Sequence, residues 1–374
     1  MTINPIQSPF CKYYLELFNK LLNISIMEKK ILSKLGIQSL ILFFSLGYTL
    51  FAQEPKSEIP SPRMYQSMVY HSKLDKILLL GGLSVHGWND DLRDVWSYDI
   101  KANIWKRLGK YLACPDSIGA ATSAVYDSES NVVIVLNSEG ETWSFKAETN
   151  EWKNMKPVNS PSARCGHMTT YDSNSDRIVL FGGFGGKSIN DPPLDDTWTY
   201  DFNSNTWLKM QPLIKPPARM YAAMIFNNNA KKAIMWGGRQ LEPLGDKSIW
   251  EYDFIKDSWG EIKYDEGPET PYAYPAMIYD DQNDEIIVFG GGVLEAPFVG
   301  KQTNIIWKYN FKLKNWAFYE IKDSPPPVTI HSMVLNPNLR KAVVFGGENY
   351  RMYSNILLQG TWILDLKKLK WKKM

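Results

Sequence analysis

The sequence predicts an all-β chain in which six copies of a four-stranded unit form one domain from about residue 60 onward. Three observations predict it. Short apolar runs such as 178–181 stop at Gly-Gly pairs at 81–82, 182–183, 237–238, 290–291 and 346–347. Strands buried on both faces read this way, and a glycine then lets the backbone turn sharply or a neighbour pack closely. A Trp follows each pair, at 96, 198, 250, 307 and 362, and another lies nine residues beyond, at 105, 207, 259, 316 and 371. Trp143 and Trp152 keep that nine-residue offset and expose a sixth, degenerate copy, with Leu136-Asn137 where the glycines belong.

Each unit reads as strands a to d. In the third copy, 178–181 is strand b, and Trp198 and Tyr200, two apart, share one face of strand c. Asp201, Asn203, Ser204 and Asn205 make a polar turn, and Trp207 opens strand d. Strand a is predicted at 64–70 in the first copy and 331–335 in the last. The first copy has its own strand a and the last its own strand d at 371–374, so the units are expected to be self-contained and to close by packing alone. The a–b and c–d links are short, as at 172–176 and 201–206. The b–c loops are long in five copies: 83–94, 184–196, 239–248, 292–305 and 348–360. Because strands alternate in direction, b–c loops and d–a links emerge on one face, and function usually lives on such loops over a rigid scaffold.

Successive copies lie 47 to 57 residues apart, and the pattern resembles kelch repeats. The chain is similar to the galactose oxidase/kelch-like superfamily, which implies a six-bladed β-propeller of four-stranded antiparallel blades. Composition agrees: twelve of the 14 Trp fill the two repeat positions, Trp236 beside Gly237-Gly238 reads as core, and only Trp88 lies outside the pattern.

Residues 1–52 read as an N-terminal extension with a secretory signal peptide. From Met27, MEKKILSKLG is basic, IQSLILFFSLGYTLF is apolar, and Ala52 precedes a polar start. The apolar run is shorter than the roughly 20 residues of a spanning helix. Translation from Met27, cleavage after Ala52 and a polar linker at 53–59 are therefore expected, followed by the propeller at 60–374. No Cys follows the apolar run, which argues against a lipid anchor, and the FAQ ending resembles bacterial signal peptides. Export to the periplasm, the cell surface or the medium follows. The formal charge is +2, with five Lys in the first 52 residues and a nearly neutral remainder. That leaves no basic footprint for nucleic acid.

Aligning the units puts Arg63, Arg164 and Arg219 at one position of the d–a entry, with Gly119, Tyr272 and Val328 in the other copies. In kelch domains that bind acidic ligands such arginines project into the pocket, and guanidinium forks suit carboxylate or phosphate. The equally weighted alternative is that each satisfies a loop carbonyl or a neighbouring carboxylate. Arg239 and Glu348 follow their Gly-Gly pairs and border the same region. His86 and Trp88 lie in the first b–c loop, where the Trp either stacks on a ligand or staples the loop. Asp94 and Asp196 precede strand c and are assigned to turn hydrogen bonds.

His167 and His331 share the strand-a register, but their blades face each other across the disc, and no convergent metal-ligand set is visible. No metal or cofactor is expected, and the copper ligands of galactose oxidases are not recognisable. Cys114 and Cys165 lie near adjacent d–a links and either pair or stay as buried thiols. The expectation is an exported, non-catalytic binding protein whose b–c and d–a loop face takes an anionic glycan or acidic peptide, through Arg63, Arg164, Arg219, Arg239, His86, Trp88 and Tyr272. The alternative is a carbohydrate-active enzyme resembling sialic-acid epimerases or mutarotases, with Glu348 as the acid/base candidate.

Overall fold

The computed structural model describes residues 58–84, 92–109, 122–185, 192–240, 247–270, 272–295, 298–351 and 354–374. The signal-peptide and linker expectations for 1–57 lie outside the described residues, as do His86 and Trp88. No helix among the described residues is long and apolar enough to cross a membrane.

Among the described residues six four-stranded antiparallel sheets form, each from strands taken in chain order. Sheet 1 holds Ser67–His71, Lys76–Leu80, Val95–Asp99 and Ile104–Leu108; sheet 2 holds Ser123–Asp127, Val132–Leu136, Thr142–Lys146 and Glu151–Asn154. Sheet 3 holds Met168–Asp172, Arg177–Phe181, Thr197–Asp201 and Thr206–Lys209; sheet 4 holds Ala223–Asn227, Lys232–Trp236, Ile249–Asp253 and Ser258–Ile262. Sheet 5 holds Ala276–Asp280, Glu285–Phe289, Ile306–Asn310 and Asn315–Tyr319; sheet 6 holds Ser332–Asn336, Lys341–Phe345, Trp362–Asp365 and Lys370–Lys373. The first strand of each sheet contacts that of the next, and that of sheet 6 contacts that of sheet 1. The fold is a kelch-type β-propeller.

Two corrections follow. Strand a begins later than predicted, at Ser67 and Ser332 in the first and last copies. The segment before it is drawn off the ladder by a left-handed residue. The long b–c connections of sheets 5 and 6 also contain strands of their own, Gly292–Glu295 with Phe298–Gln302 and Glu348–Arg351 with Ser354–Leu357. Their mixed polar and apolar residues hid that pairing.

A single device builds the hairpins. In all twelve a–b and c–d turns, one residue takes positive φ: Asp75, Asn103, Asn131, Asn150, Asp176, Asn205, Lys231, Asp257, Asp284, Lys314, Arg340 and Leu369. Asp and Asn tolerate that conformation best among non-glycines. In seven turns a Tyr five residues earlier donates its hydroxyl to that Asp or Asn, as Tyr70 does to Asp75 at 2.8 Å and Tyr200 to Asn205 at 2.7 Å.

The core is the set of seams between sheets. One cluster joins sheets 1 and 2 (Leu78 and Leu80 with Val133 and Phe145), another closes sheet 6 onto sheet 1 (Val343 and Phe345 with Ile77 and Trp105). Every other neighbouring pair has its own cluster. The Gly-Gly pairs sit where one sheet admits the entry segment of the next. A Cβ on Gly346 (φ 69) would lie 2.5 Å from the Gln66 side chain, and one on Gly182 (φ 62) 2.5 Å from the Arg219 carbonyl. In degenerate sheet 2, Asn137 takes over. Its side-chain oxygen accepts from the N–H groups of Glu139 and Glu141, and its amide donates to the Glu141 carboxylate.

Candidate functional site

The three aligned arginines are brought to equivalent places, but inward. Arg63, Arg164 and Arg219 are 0 %, 2 % and 0 % exposed. Arg63 donates to Asp94 at 2.5 and 3.1 Å and to the Gly81 carbonyl at 2.9 Å. Arg164 repeats the arrangement with Asp196 at 2.6 and 2.9 Å and the Gly182 carbonyl at 3.1 Å. Arg219 donates to the carbonyls of Gly237 and Pro217. Each guanidinium thus ties a d–a entry to the end of strand b, and those of Arg63 and Arg164 are also paired with carboxylates inside the scaffold. Of the two readings of these residues, the geometry matches the structural one.

Asp94 and Asp196 are structural, as expected, but their partners are not turn amides. Each carboxylate also accepts the indole N–H of the Trp two residues on, Trp96 or Trp198, at 2.7 Å. Burial pushes the Asp94 carboxyl up, yet the hydrogen bond and charge of Arg63 outweigh it and leave its pKa lowered. Asp196 is held down in the same way by Arg164 and Trp198 against its burial. Tyr272 fills the Arg position in sheet 5 and does the acceptor's work instead. It is buried, and its hydroxyl accepts from Trp307 Nε1 at 3.1 Å. This bond ties Tyr272 to strand c of its own sheet.

What reaches the axis is a set of tyrosines that the sequence reading passed over. Two residues after the Arg position stand Tyr65, Gly166, Tyr221, Tyr274 and Ile330, all with φ between 56° and 63°. Glycine is at ease there, whereas a bulky side chain is strained by roughly 1–2 kcal/mol. The rings of Tyr65, Tyr221 and Tyr274 nonetheless converge from sheets 1, 4 and 5. Centroids are 4.4 Å apart for Tyr221–Tyr274, 6.3 Å for Tyr65–Tyr221 and 6.4 Å for Tyr65–Tyr274. Phe184 adds a fourth ring 6.0 Å from Tyr221. A Cβ on Gly166 would lie 2.7 Å from the Tyr221 ring, so the one glycine of the set makes room for it. The signal in the sequence was the alternation of Tyr with Gly at one aligned position.

The three tyrosines are half-buried and line an axial recess of about 150 Å³ with Gln66, His167, Pro275 and His331. The ring nitrogens of His167 and His331 are buried, with the backbone of Arg164 and Leu136 acting on the first and that of Phe289 on the second. Burial lowers their pKa values to about 3 and about 4, so both imidazoles are neutral at physiological pH. Burial raises the Tyr221 phenol well above its ordinary value, with Tyr274 adding to the effect. It lifts Tyr274 to about 12 against the opposing pull of a Tyr65 hydrogen bond and of Arg239.

Arg239, half-buried, acts electrostatically on both of those tyrosines, and Glu348, 2 % exposed, on Tyr274. Arg239 and Glu348 thus lie close enough to the aromatic floor to act on it. Among the described residues no group of three or more His, Cys, Asp or Glu could hold a metal ion. Cys165 is a free, half-buried thiol whose pKa is raised by burial. Its candidate partner Cys114 lies outside the described residues.

Comparison with known proteins agrees with the geometry. The chain matches the family described as KLHDC2/KLHL20/DRC7 Kelch-repeats domain over residues 136–277 and 184–374. It is 24 % identical over 214 residues to Mei4-dependent protein 6 of Schizosaccharomyces pombe, covering 50 % of this chain and 29 % of that protein. It is 22 % identical over 381 residues to putative adagio-like protein 2 of Oryza sativa subsp. japonica, covering 94 % and 56 %. With Kelch repeat-containing protein 2 of Saccharomyces cerevisiae the identity is 27 % over 219 residues, covering 54 % and 24 %. The chain spans between about a quarter and just over half the length of these relatives.

Proposed function

We propose that this chain, which belongs to the KLHDC2/KLHL20/DRC7 Kelch-repeats domain family, binds a polypeptide partner on the face formed by its d–a entries and b–c loops. Kelch repeats make it a protein-interaction scaffold. The choice of face rests on one observation: three tyrosines hold left-handed backbone conformations that cost stability and bring their rings together on the axis. Strain of this kind collects at ligand clamps. Tyrosine gives a large, stiff contact surface with a polar tip, the chemistry of a protein-binding hot spot. With the three aligned guanidiniums buried, Arg239 is a cation beside this floor, and it favours a partner segment that joins an apolar or aromatic side chain to an acidic one.

Selection of displayed peptides on the purified protein tests the reading. Enriched peptides should bind the parent chain and lose about tenfold or more in affinity on Tyr221→Gly, a change of at least about 1.4 kcal/mol. Unchanged affinity in the Tyr65→Gly, Tyr221→Gly and Tyr274→Gly variants would discard it. Export is part of the proposal and rests on the basic, apolar and small-residue pattern from Met27 to Ala52. N-terminal sequencing of the mature protein should begin at Gln53, and recovery of a species retaining 37–51 would contradict it.

A further inference from the structure

We infer that the outer strand of sheet 6 is a second docking edge, which takes an acidic polypeptide segment as an added fifth strand. Lys370–Lys373 reads KWKK, and the hairpin before it contributes Lys367 and Lys368. All five lysines are exposed, and no acidic residue interrupts the run. Trp371 points the other way, into the seam with sheet 5. The one acidic neighbour, Asp365, stands opposite Lys370 in register but accepts the backbone N–H groups of Lys367 and Lys368. Lys373 lies over the Trp362 ring at 5.6 Å. None of the five ammonium groups forms an ion pair with a carboxylate among the described residues.

Edge lysines commonly guard a strand against unwanted pairing. Two other outer strands do without it. The outer strands of sheets 4 and 5, SWGEI and NWAFY, carry no lysine, and those of sheets 2 and 3, EWKN and TWLK, carry one each. The outer strand of sheet 1, IWKRL, carries Lys106 and Arg107, and that of sheet 6, with Lys370, Lys372 and Lys373, carries the densest charge. Among the described residues its strand pairs only with Trp362–Asp365, which leaves the other row of backbone groups without a ladder partner there. A partner strand with acidic residues at alternate positions would satisfy those groups and set its carboxylates against Lys370 and Lys372, which share one face. A lipid surface fits less well, because no large exposed apolar side chain lies between 358 and 374 to enter a bilayer.

The test is a fluorescence anisotropy titration of the full chain with a labelled peptide of alternating Glu and Thr. Its Lys-for-Glu counterpart, a copy N-methylated at alternate backbone positions, and phosphatidylserine vesicles serve as comparisons. The acidic peptide should bind, and weaken about tenfold between roughly 50 and 200 mM salt as screening predicts. Lys370→Glu with Lys372→Glu should abolish binding, the neutral pair Lys370→Gln with Lys372→Gln should weaken it, and Lys209→Glu on sheet 3 should leave it unchanged. The N-methylated peptide should not bind. Equal binding to the Lys370→Glu, Lys372→Glu chain, equal binding of the N-methylated peptide, or binding of vesicles but not peptide overturns the proposal.

Discussion

Sheets 1, 3 and 4 and sheets 2, 5 and 6 solve the same packing problem by different chemistry. In the first set an entry arginine is buried, and the second Trp reaches across the seam. Trp105 donates to Thr361 of sheet 6, Trp207 to Thr142 of sheet 2 and Trp259 to Thr197 of sheet 3, at 2.8 to 2.9 Å. In the second set no arginine stands at the entry, and the indole N–H groups of Trp152, Trp316 and Trp371 are buried with no hydrogen-bond partner among the described residues. The residues that occupy the threonine position across those seams are Val95, Ile249 and Ile306. A hydroxyl or a purely aliphatic side chain at this place in the preceding sheet decides whether a tryptophan is latched. The comparison also reassigns the arginines, because they belong with the latches as part of the scaffold of three sheets.

The largest way to break this contrast is Arg63→Ala. It strands the Asp94 carboxylate in a buried site and should cost about 3–5 kcal/mol in urea unfolding. A chain whose entry arginine faced ligand would lose almost nothing.

Acid should also act strongly. His167 and His331 have folded pKa values near 3 and near 4, against about 6.5 unfolded. The unfolded chain therefore binds more protons below that value. Their contribution to stability is complete above about pH 6.5 and is lost as pH falls toward 4 and then 3. The lowered carboxyls of Asp94 and Asp196 add a further loss as pH drops below about 3.9. Melting temperature measured from pH 8 to 3 should fall throughout the lower range. A Gln at both histidine positions should flatten the upper part of that fall.

Thr361→Val removes the latch on the seam that joins the last sheet to the first and leaves the Trp105 N–H buried alone. A loss of about 1–3 kcal/mol is expected in chemical unfolding. The converse change, Val95→Thr, offers Trp152 the acceptor it lacks and keeps nearly the same shape. It should stabilise by about 0.5–1.5 kcal/mol, the smallest effect and the sharpest check, since a loss would mean that the hydroxyl meets no indole.

Much of the scaffold was legible because it repeats. The Gly-Gly pairs, the nine-residue Trp offset and the polar turns each report a local geometric need, and six copies reinforce one another. The site was less legible. Arg63, Arg164 and Arg219 stood out as charged, periodic residues, but their partners Asp94 and Asp196 lie about thirty positions away, so their inward pairing appears only when strand c returns beside the entry. Tyr65, Tyr221 and Tyr274 were hidden by the abundance of scaffold aromatics, and only their backbone angles distinguish them. The strands within the b–c connections of sheets 5 and 6 escaped because edge hairpins lack the apolar run that marks a buried strand.

The central claim is that the aligned arginines hold the fold while the axial tyrosines serve recognition. Parallel urea unfolding of Arg164→Ala and Tyr221→Gly tests it most directly. The account predicts a loss of about 3–5 kcal/mol for the arginine variant. It predicts stability within about 1 kcal/mol of the parent for the tyrosine variant, where relief of left-handed strain offsets the lost ring contacts. An Arg164→Ala chain as stable as the parent, or a Tyr221→Gly chain destabilised as much as the arginine variant, would contradict it.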